Sequence, residues 1–145
     1  MNGAVQKERY LKAFLTGFFM MAIIFVPFLI LDKGLFIYYG DYNAQQIPFY
    51  QMCHEAVKSG NIFWNHTTDL GANFIGAYSF SPLGSPFFWL TIPFPNSFVP
   101  YLLAPLLIIK FACAAFCAYL YIKRFTKTPL AASIGGLLYA FSGFA

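Results

Sequence analysis

The chain is poor in charge, and poorest in acid. Charged residues make up 10% of its 145 positions, and Glu8, Asp32, Asp41, Glu55 and Asp69 are its five carboxylates. A soluble domain carries charge on about a quarter of its residues, so polar groups are too few here to cover a surface that faces water on every side. Its nine Lys and Arg are dispersed, not gathered on one solvated face, which excludes a nucleic-acid-binding module. Cysteine is scarce too, with three in all. Cys53 stands alone, while Cys113 and Cys117 are four apart and share one face of an apolar helix. A metal site needs three or four ligands, so this pair reads as small residues at a helix interface.

What the chain has is apolar bulk: 59% hydrophobic residues, 19 of them Phe. This implies an all-α integral membrane protein, and the order of segments gives about three spans. From Ala13 to Leu31 no charge interrupts the run, and 19 residues at 1.5 Å each cover about 28 Å, a bilayer core. The run is longer than the core of a signal peptide, and Asp32-Lys33-Gly34 follows it in place of a small-residue cleavage motif. A retained first span is expected, with Pro27 near its far end. Val99–Ile122 reads as the second span, interrupted by Lys110, and a third apolar segment covers residues 130–145. In that segment Ala132, Gly136 and Ala140 recur every fourth residue, a pattern that lets membrane helices approach closely.

Residues 32–98 read as one long polar loop rich in aromatics. A helix is expected from Gln46 to Ser59, with Pro48 in its first turn and Gly60 as its stop. Ile47, Tyr50, Cys53 or His54, and Val57 recur at helical spacing, so the helix is expected to lie in the membrane interface. Residues 61–73 read as loop. Residues 82–98, broken by Pro82, Pro86, Pro93 and Pro95, are too short to span and are expected to be re-entrant or interfacial. Residues 1–12 and 123–128 each hold three Lys or Arg, against Lys33 and Lys58 alone in the long loop. Basic loops stay in the cytoplasm, so a cytoplasmic amino terminus and an external 32–98 loop are expected. The apolar run through Ala145 has no polar stop, and an amino-terminal part of one larger polytopic membrane domain is expected.

Asp41 is the acid that stands out. It lies just past the first span, in Asp41-Tyr42-Asn43-Ala44-Gln45-Gln46-Ile47-Pro48-Phe49-Tyr50. Chemistry alone leaves two readings open, a helix cap or a catalytic acid at the membrane surface. Asn43 and Gln45 are candidates for ligand contact or for capping. His54 alone on a helix reads as structural, and Glu55 and Lys58 as a solvated face. Lys110, eight residues or about 12 Å beyond Leu102, where the apolar core of the second span is taken to begin, is expected in the protein interior or a wet cleft, where a lipid phosphate would be its partner; a side chain snorkelling to the interface is the alternative.

Four strings together resemble the bacterial YfhO family of membrane proteins: residues 41–50 above, Gly60-Asn61-Ile62-Phe63-Trp64-Asn65, Asp69-Leu70-Gly71-Ala72-Asn73-Phe74, and Leu137-Leu138-Tyr139-Ala140-Phe141-Ser142-Gly143-Phe144. The resemblance implies a many-spanning enzyme similar to glycosyltransferases of the C-type membrane fold. Such enzymes take a sugar from a polyprenyl-phosphate donor on the outer face and pass it to a cell-envelope polymer such as teichoic acid. It also implies that Asp41 matches the essential acid of their first external loop. Family members are several times longer, so this length alone is expected to be inactive. Transfer needs the acceptor hydroxyl deprotonated as positive charge develops at the anomeric carbon, and a carboxylate can take that proton or help hold a divalent metal ion against the phosphate. Asp69 and Asn73 join Asn43, Gln45 and Lys110 as expected substrate contacts. Two other classes remain open: a transporter or flippase module, for which broken segments and an intramembrane Lys are natural, and a non-catalytic membrane scaffold.

Overall fold

The charge-free runs of the sequence become helices because a backbone in lipid must satisfy its own hydrogen bonds. The computed structural model describes residues 3–36, 42–66 and 71–142. Its elements in order are α1 (Gly3–Leu31), a π-helical segment (Tyr42–Gln46), α2 (Ile47–Ser59), β1 (Trp64–Asn65), β2 (Ala72–Asn73), α3 (Phe74–Tyr78), a second π-helical segment (Ser79–Leu83), α4 (Pro86–Trp89), a 3-10 turn (Asn96–Phe98), α5 (Val99–Ile122) and α6 (Pro129–Ala140). Two of these, α1 and α5, are long and apolar enough to cross a membrane, and α6 is an apolar helix of 12 residues. The chain divides into two compact units, residues 1–31 with 104–145, and residues 32–103.

The first, helical unit contains α1, α6 and most of α5. Tyr10 near the start of α1 meets Phe116 and Tyr119 near the end of α5, edge-on with ring centroids 6.3 Å apart in each pair. About two turns along, Gly17 faces Ala112 and Ala115 so closely that an added Cβ would sit 2.8 Å from that of Ala115. The two helices are therefore antiparallel. On α6 the buried residues are Ala132, Gly136 and Ala140, the small-residue stripe expected from the sequence. A Cβ on Gly136 would lie 2.7 Å from the Ala115 carbonyl oxygen, so backbone approaches backbone and dispersion does the packing. The outer face of α1 is bare: Ile23 and Ile30 are 73% exposed and Leu31 76%. A continuous apolar band of this kind fits lipid and not water.

The second unit, residues 32–103, is held by an aromatic cluster. Cys53 of α2, Phe74 and Tyr78 of α3 and Phe88 of α4 are buried together, with Phe49, Tyr50, Val57, Ile62 and Leu83 packed around them. The apolar stripe expected on α2 is present, but these rings cover it. Helix α2 begins at Ile47 with Pro48 in its first turn, and it stops where Gly60 turns left-handed at φ 75°. Between Asn61 and Asn73 the sequence suggested loop; the structure pairs Trp64 with Asn73 and Asn65 with Ala72 in a short antiparallel ladder. Two-residue strands are too short to show alternation, which is why the pattern was silent there. The Pro-rich run does not form a span. It breaks into α4, turns and the 3-10 turn, and it sends Phe88 and Thr91 into the interior at zero exposure.

Candidate functional site

Asp41 and Asp69 lie outside the described residues, so the geometry below concerns the remaining candidates. Asn43 and Gln45 ride on the π-helical segment that runs straight into α2, the first half-buried and the second exposed. Single π turns are uncommon and concentrate at functional sites. Asn73 has local work: its Oδ1 accepts the Gly76 amide at 2.8 Å and caps α3. Lys110 is exposed on α5 within the helical unit.

None of these lines the polar cleft of the second unit. That cleft, of about 410 Å³, is built from Gln51, Glu55 and Ser59 on α2, Asn61 just beyond it, Asn65 on β1 and Asn96 on the 3-10 turn, with Met52 and Ala56 as its apolar floor. Positions 51, 55 and 59 fall at i, i+4 and i+8, so one helix face supplies half of the wall. Asn96 Nδ2 donates to Glu55 Oε2 at 3.4 Å, while its own Oδ1 is buried with no hydrogen-bond partner among the described residues. Asn65 Nδ2 contacts the Met52 sulfur at 3.3 Å. Four side-chain amides, a hydroxyl and one carboxylate in a single hollow offer both donors and acceptors, the complement of a polyhydroxylated ligand. The sequence reading passed over this group because its members come from four separate elements. The signal it held was the Gln51–Glu55–Ser59 spacing followed closely by Asn61 and Asn65.

The cleft is braced from behind. His54 is fully buried, its Nε2–H donates to the Thr91 carbonyl at 3.2 Å, and its Nδ1 has no hydrogen-bond partner among the described residues. Lys58 Nζ donates to the Phe94 carbonyl at 2.6 Å. With the Glu55–Asn96 contact, three α2 side chains, those of His54, Glu55 and Lys58, thus hold residues 91–96, and Glu55 and Lys58 are more than a solvated face. Beside the same helix an apolar hollow of about 380 Å³ opens between Val57, Ile62, Phe74, Ile75, Leu83 and Trp89.

Burial sets the ionisation of the surrounding groups. It pushes the Cys53 thiol up to about 12, so Cys53 is neutral and no nucleophile at ordinary pH. Burial, with Tyr50 adding to it, pushes the Tyr42 hydroxyl up to about 12, and burial raises Tyr50 against an opposing hydrogen bond with Ser85. Among the described residues no group of three or more His, Cys, Asp or Glu is placed to hold a metal ion. Glu55 is the cleft's one carboxylate, and its neighbours are amides, a poor donor set for a divalent cation that wants several hard oxygens.

No curated protein and no solved structure matches the chain. The model of one family, described as bacterial membrane protein YfhO, matches residues 13–145. That match begins at the first span and covers both units, and it agrees with the lipid-suited face of α1: the chain is a membrane protein of the bacterial YfhO family.

Proposed function

We propose that this chain is the amino-terminal part of an outward-facing membrane glycosyltransferase. In this reading the donor is a polyprenyl-phosphate sugar and the acceptor a cell-envelope polymer such as teichoic acid. The observation that carries the reading is the amide-lined cleft of residues 32–103, which follows directly on the segment bearing Asp41. Sugar hydroxyls are recognised by side chains that both donate and accept, and the cleft is lined by little else that is polar. The adjoining apolar hollow suits a prenyl chain.

The topology belongs to the same proposal. The amino terminus and the Lys123 turn are cytoplasmic, α6 belongs to a third span, and residues 32–98 are external. Its support is that the basic ends of α1 and α5 meet, with Lys123 donating to the Tyr10 hydroxyl, and basic ends stay inside.

Asp41 is then the general base. It takes the proton of the acceptor hydroxyl as that oxygen bonds to the anomeric carbon, and the bond from that carbon to the donor phosphate breaks, releasing the polyprenyl phosphate. Asn43, Gln45 and Asp69 contact the sugars, and Lys110 the donor phosphate. The described residues offer no set fitted to a metal, so no step is assigned to one.

The test is Asp41→Asn in the full-length protein. Loss of a general base is worth about a hundredfold or more in turnover, so sugar transfer should fall by that much with abundance and insertion unchanged. Asn caps a helix about as well as Asp. Near-normal transfer by this variant would leave Asp41 a cap and remove the catalytic assignment.

A further inference from the structure

The helical unit holds a second cleft that the reading above does not use. Residues 1–31 and 104–145 carry seven Lys or Arg and a single acid, Glu8. Glu8 is occupied by Lys12, one helical turn away at 2.6 Å. Arg9, Lys123 and Lys127 make no direct ion pair among the described residues, although Arg9 also acts on Glu8 through space, and the fold places the three around one hollow of about 170 Å³, together with Thr126, Thr128 and Tyr119. The walls come from three helices: the start of α1, the end of α5 and the turn that leads into α6.

Three features make this hollow a receptor for a compact anion. Its charge is of one sign, and the cations converge on it where mutual repulsion would otherwise spread them over the surface. It also opens beside the first turn of α6, where Pro129 occupies the start and the Thr128 side chain makes no capping bond. Pro129 has no N–H and the Ala132 amide already donates to the Thr128 carbonyl, so the Leu130 and Ala131 amides of that turn and the Thr128 hydroxyl are the available donors, and the helix dipole adds positive potential. Finally, its volume falls below the roughly 300 Å³ at which pockets for larger organic ligands begin, while a tetrahedral anion with several acceptor oxygens matches the donor set.

We propose that this cleft binds a phosphate group, supplied in the membrane by the headgroup of an anionic lipid. Both long apolar helices have a terminus at the cleft, so it sits at the depth where headgroups lie. Lys123, fastened to Tyr10, provides a fixed contact from α5 to α1; Arg9 and Lys127, both exposed, close on the phosphate from either side. A bound phosphate would thus tie α1, α5 and α6 together where they carry the most positive charge.

The test uses the purified 145-residue chain in a neutral detergent, titrated with phosphatidylglycerol, with phosphatidylcholine, and with glycerol 3-phosphate. The variants are Arg9→Gln with Lys127→Gln and, outside the cleft, Arg124→Gln alone and the charge-matched pair Arg124→Gln with Lys7→Gln; all four residues are exposed, so folding should survive and is checked by far-UV ellipticity. Phosphatidylglycerol is expected to bind and to raise the midpoint of thermal unfolding, phosphatidylcholine to do neither. The double variant should weaken binding about tenfold or more, since each basic residue near a membrane surface contributes measurably to anionic-lipid attraction, and Arg124→Gln should change it less than twofold. Competition by glycerol 3-phosphate would assign the same site to a free phosphomonoester; retention of the lipid against it assigns the site to the headgroup. Equal loss in the double variant and in a variant pairing Arg124→Gln with Lys7→Gln would reduce the cleft to diffuse basic attraction and overturn the proposal, as would equal binding of the two lipids.

Discussion

The two units are made from the same chain by opposite means. Residues 1–31 and 104–145 carry seven basic residues and one acid, a net charge of +6, whereas residues 32–103 carry Lys33 and Lys58 against four acids, a net of −2. The helical unit closes through residues with almost no side chain: Gly17, Ala115, Ala132 and Gly136 let helices touch backbone to backbone. The second unit closes through rings, with Phe74, Tyr78 and Phe88 around Cys53. The contrast follows from the solvent each sequence suits. Lipid gives apolar side chains no reason to leave it, so helices in lipid gain by close approach. A segment with many polar residues must collect its apolar groups into a core, and large rings bury the most area per residue.

Because both tryptophans, Trp64 and Trp89, belong to the second unit, their fluorescence reports that unit, while far-UV ellipticity is dominated by the long helices of the other. The largest expected effect is that of Phe88→Ala. Phe88 is fully buried and meets Tyr50 edge-on at 5.5 Å, so truncation should cost about 3–5 kcal/mol. The tryptophan transition should fall well below that of the native chain with helicity nearly unchanged. Loss of both signals together would mean that the two units do not unfold independently.

Gly136→Val is the converse. Its side chain would collide with the Ala115 carbonyl, and overpacking of this kind costs about 1–3 kcal/mol. The ellipticity transition should drop while tryptophan fluorescence holds; an unshifted ellipticity midpoint would show that α6 does not pack on α5 in the membrane.

A pH titration separates the units more gently. The Cys53 thiol ionises near 9 when exposed and at about 12 in the folded second unit. A raised pKa contributes stability that is complete below the unfolded value and disappears as pH climbs towards the folded one. The second unit should therefore weaken between about pH 9 and 12, Tyr42 adding to the loss above about 10. In a chain carrying Cys113→Ala and Cys117→Ala, alkylation of Cys53 should be slow at pH 8 and accelerate as the tryptophan signal begins to change. Fast alkylation at pH 8 would place the thiol at the surface.

The smallest effect is expected at Asn73. Removing its cap by Asn73→Ala should destabilise the second unit by about 1 kcal/mol, and Asn73→Asp should restore it. If Asn73 serves only as a cap, the sugar transfer proposed above is unchanged by Asn73→Asp; a loss there with stability intact would make Asn73 a substrate contact as well as a cap.

Several features were legible in the residues because they depend on neighbours in the chain. The charge-free run from Ala13 to Leu31 lies within α1, and the bounds Val99 and Ile122 coincide with those of α5. Pro48 and Gly60 marked the ends of α2 to within a residue. The stripe of Ala132, Gly136 and Ala140 announced a close helix contact. Each depends on helical period, on a missing amide hydrogen, or on a φ angle that glycine tolerates, and each of these is a property of a short stretch. Asp41 stood out by position and scarcity, and its catalytic reading came from the family resemblance; it lies outside the described residues.

Only the tertiary structure decided which polar residues meet. Gln51, Glu55, Asn61, Asn65 and Asn96 share a cleft because the aromatic cluster and the buried His54–Thr91 bond fold residues 91–96 back against α2. Arg9 and Lys127, more than a hundred positions apart, line one hollow because antiparallel α1 and α5 bring the first turns of the chain beside the last turn of α5. Period and composition set what each helix is. Which charges and amides converge is set by packing between segments far apart in sequence, where no local preference acts and the burial of apolar area determines the arrangement.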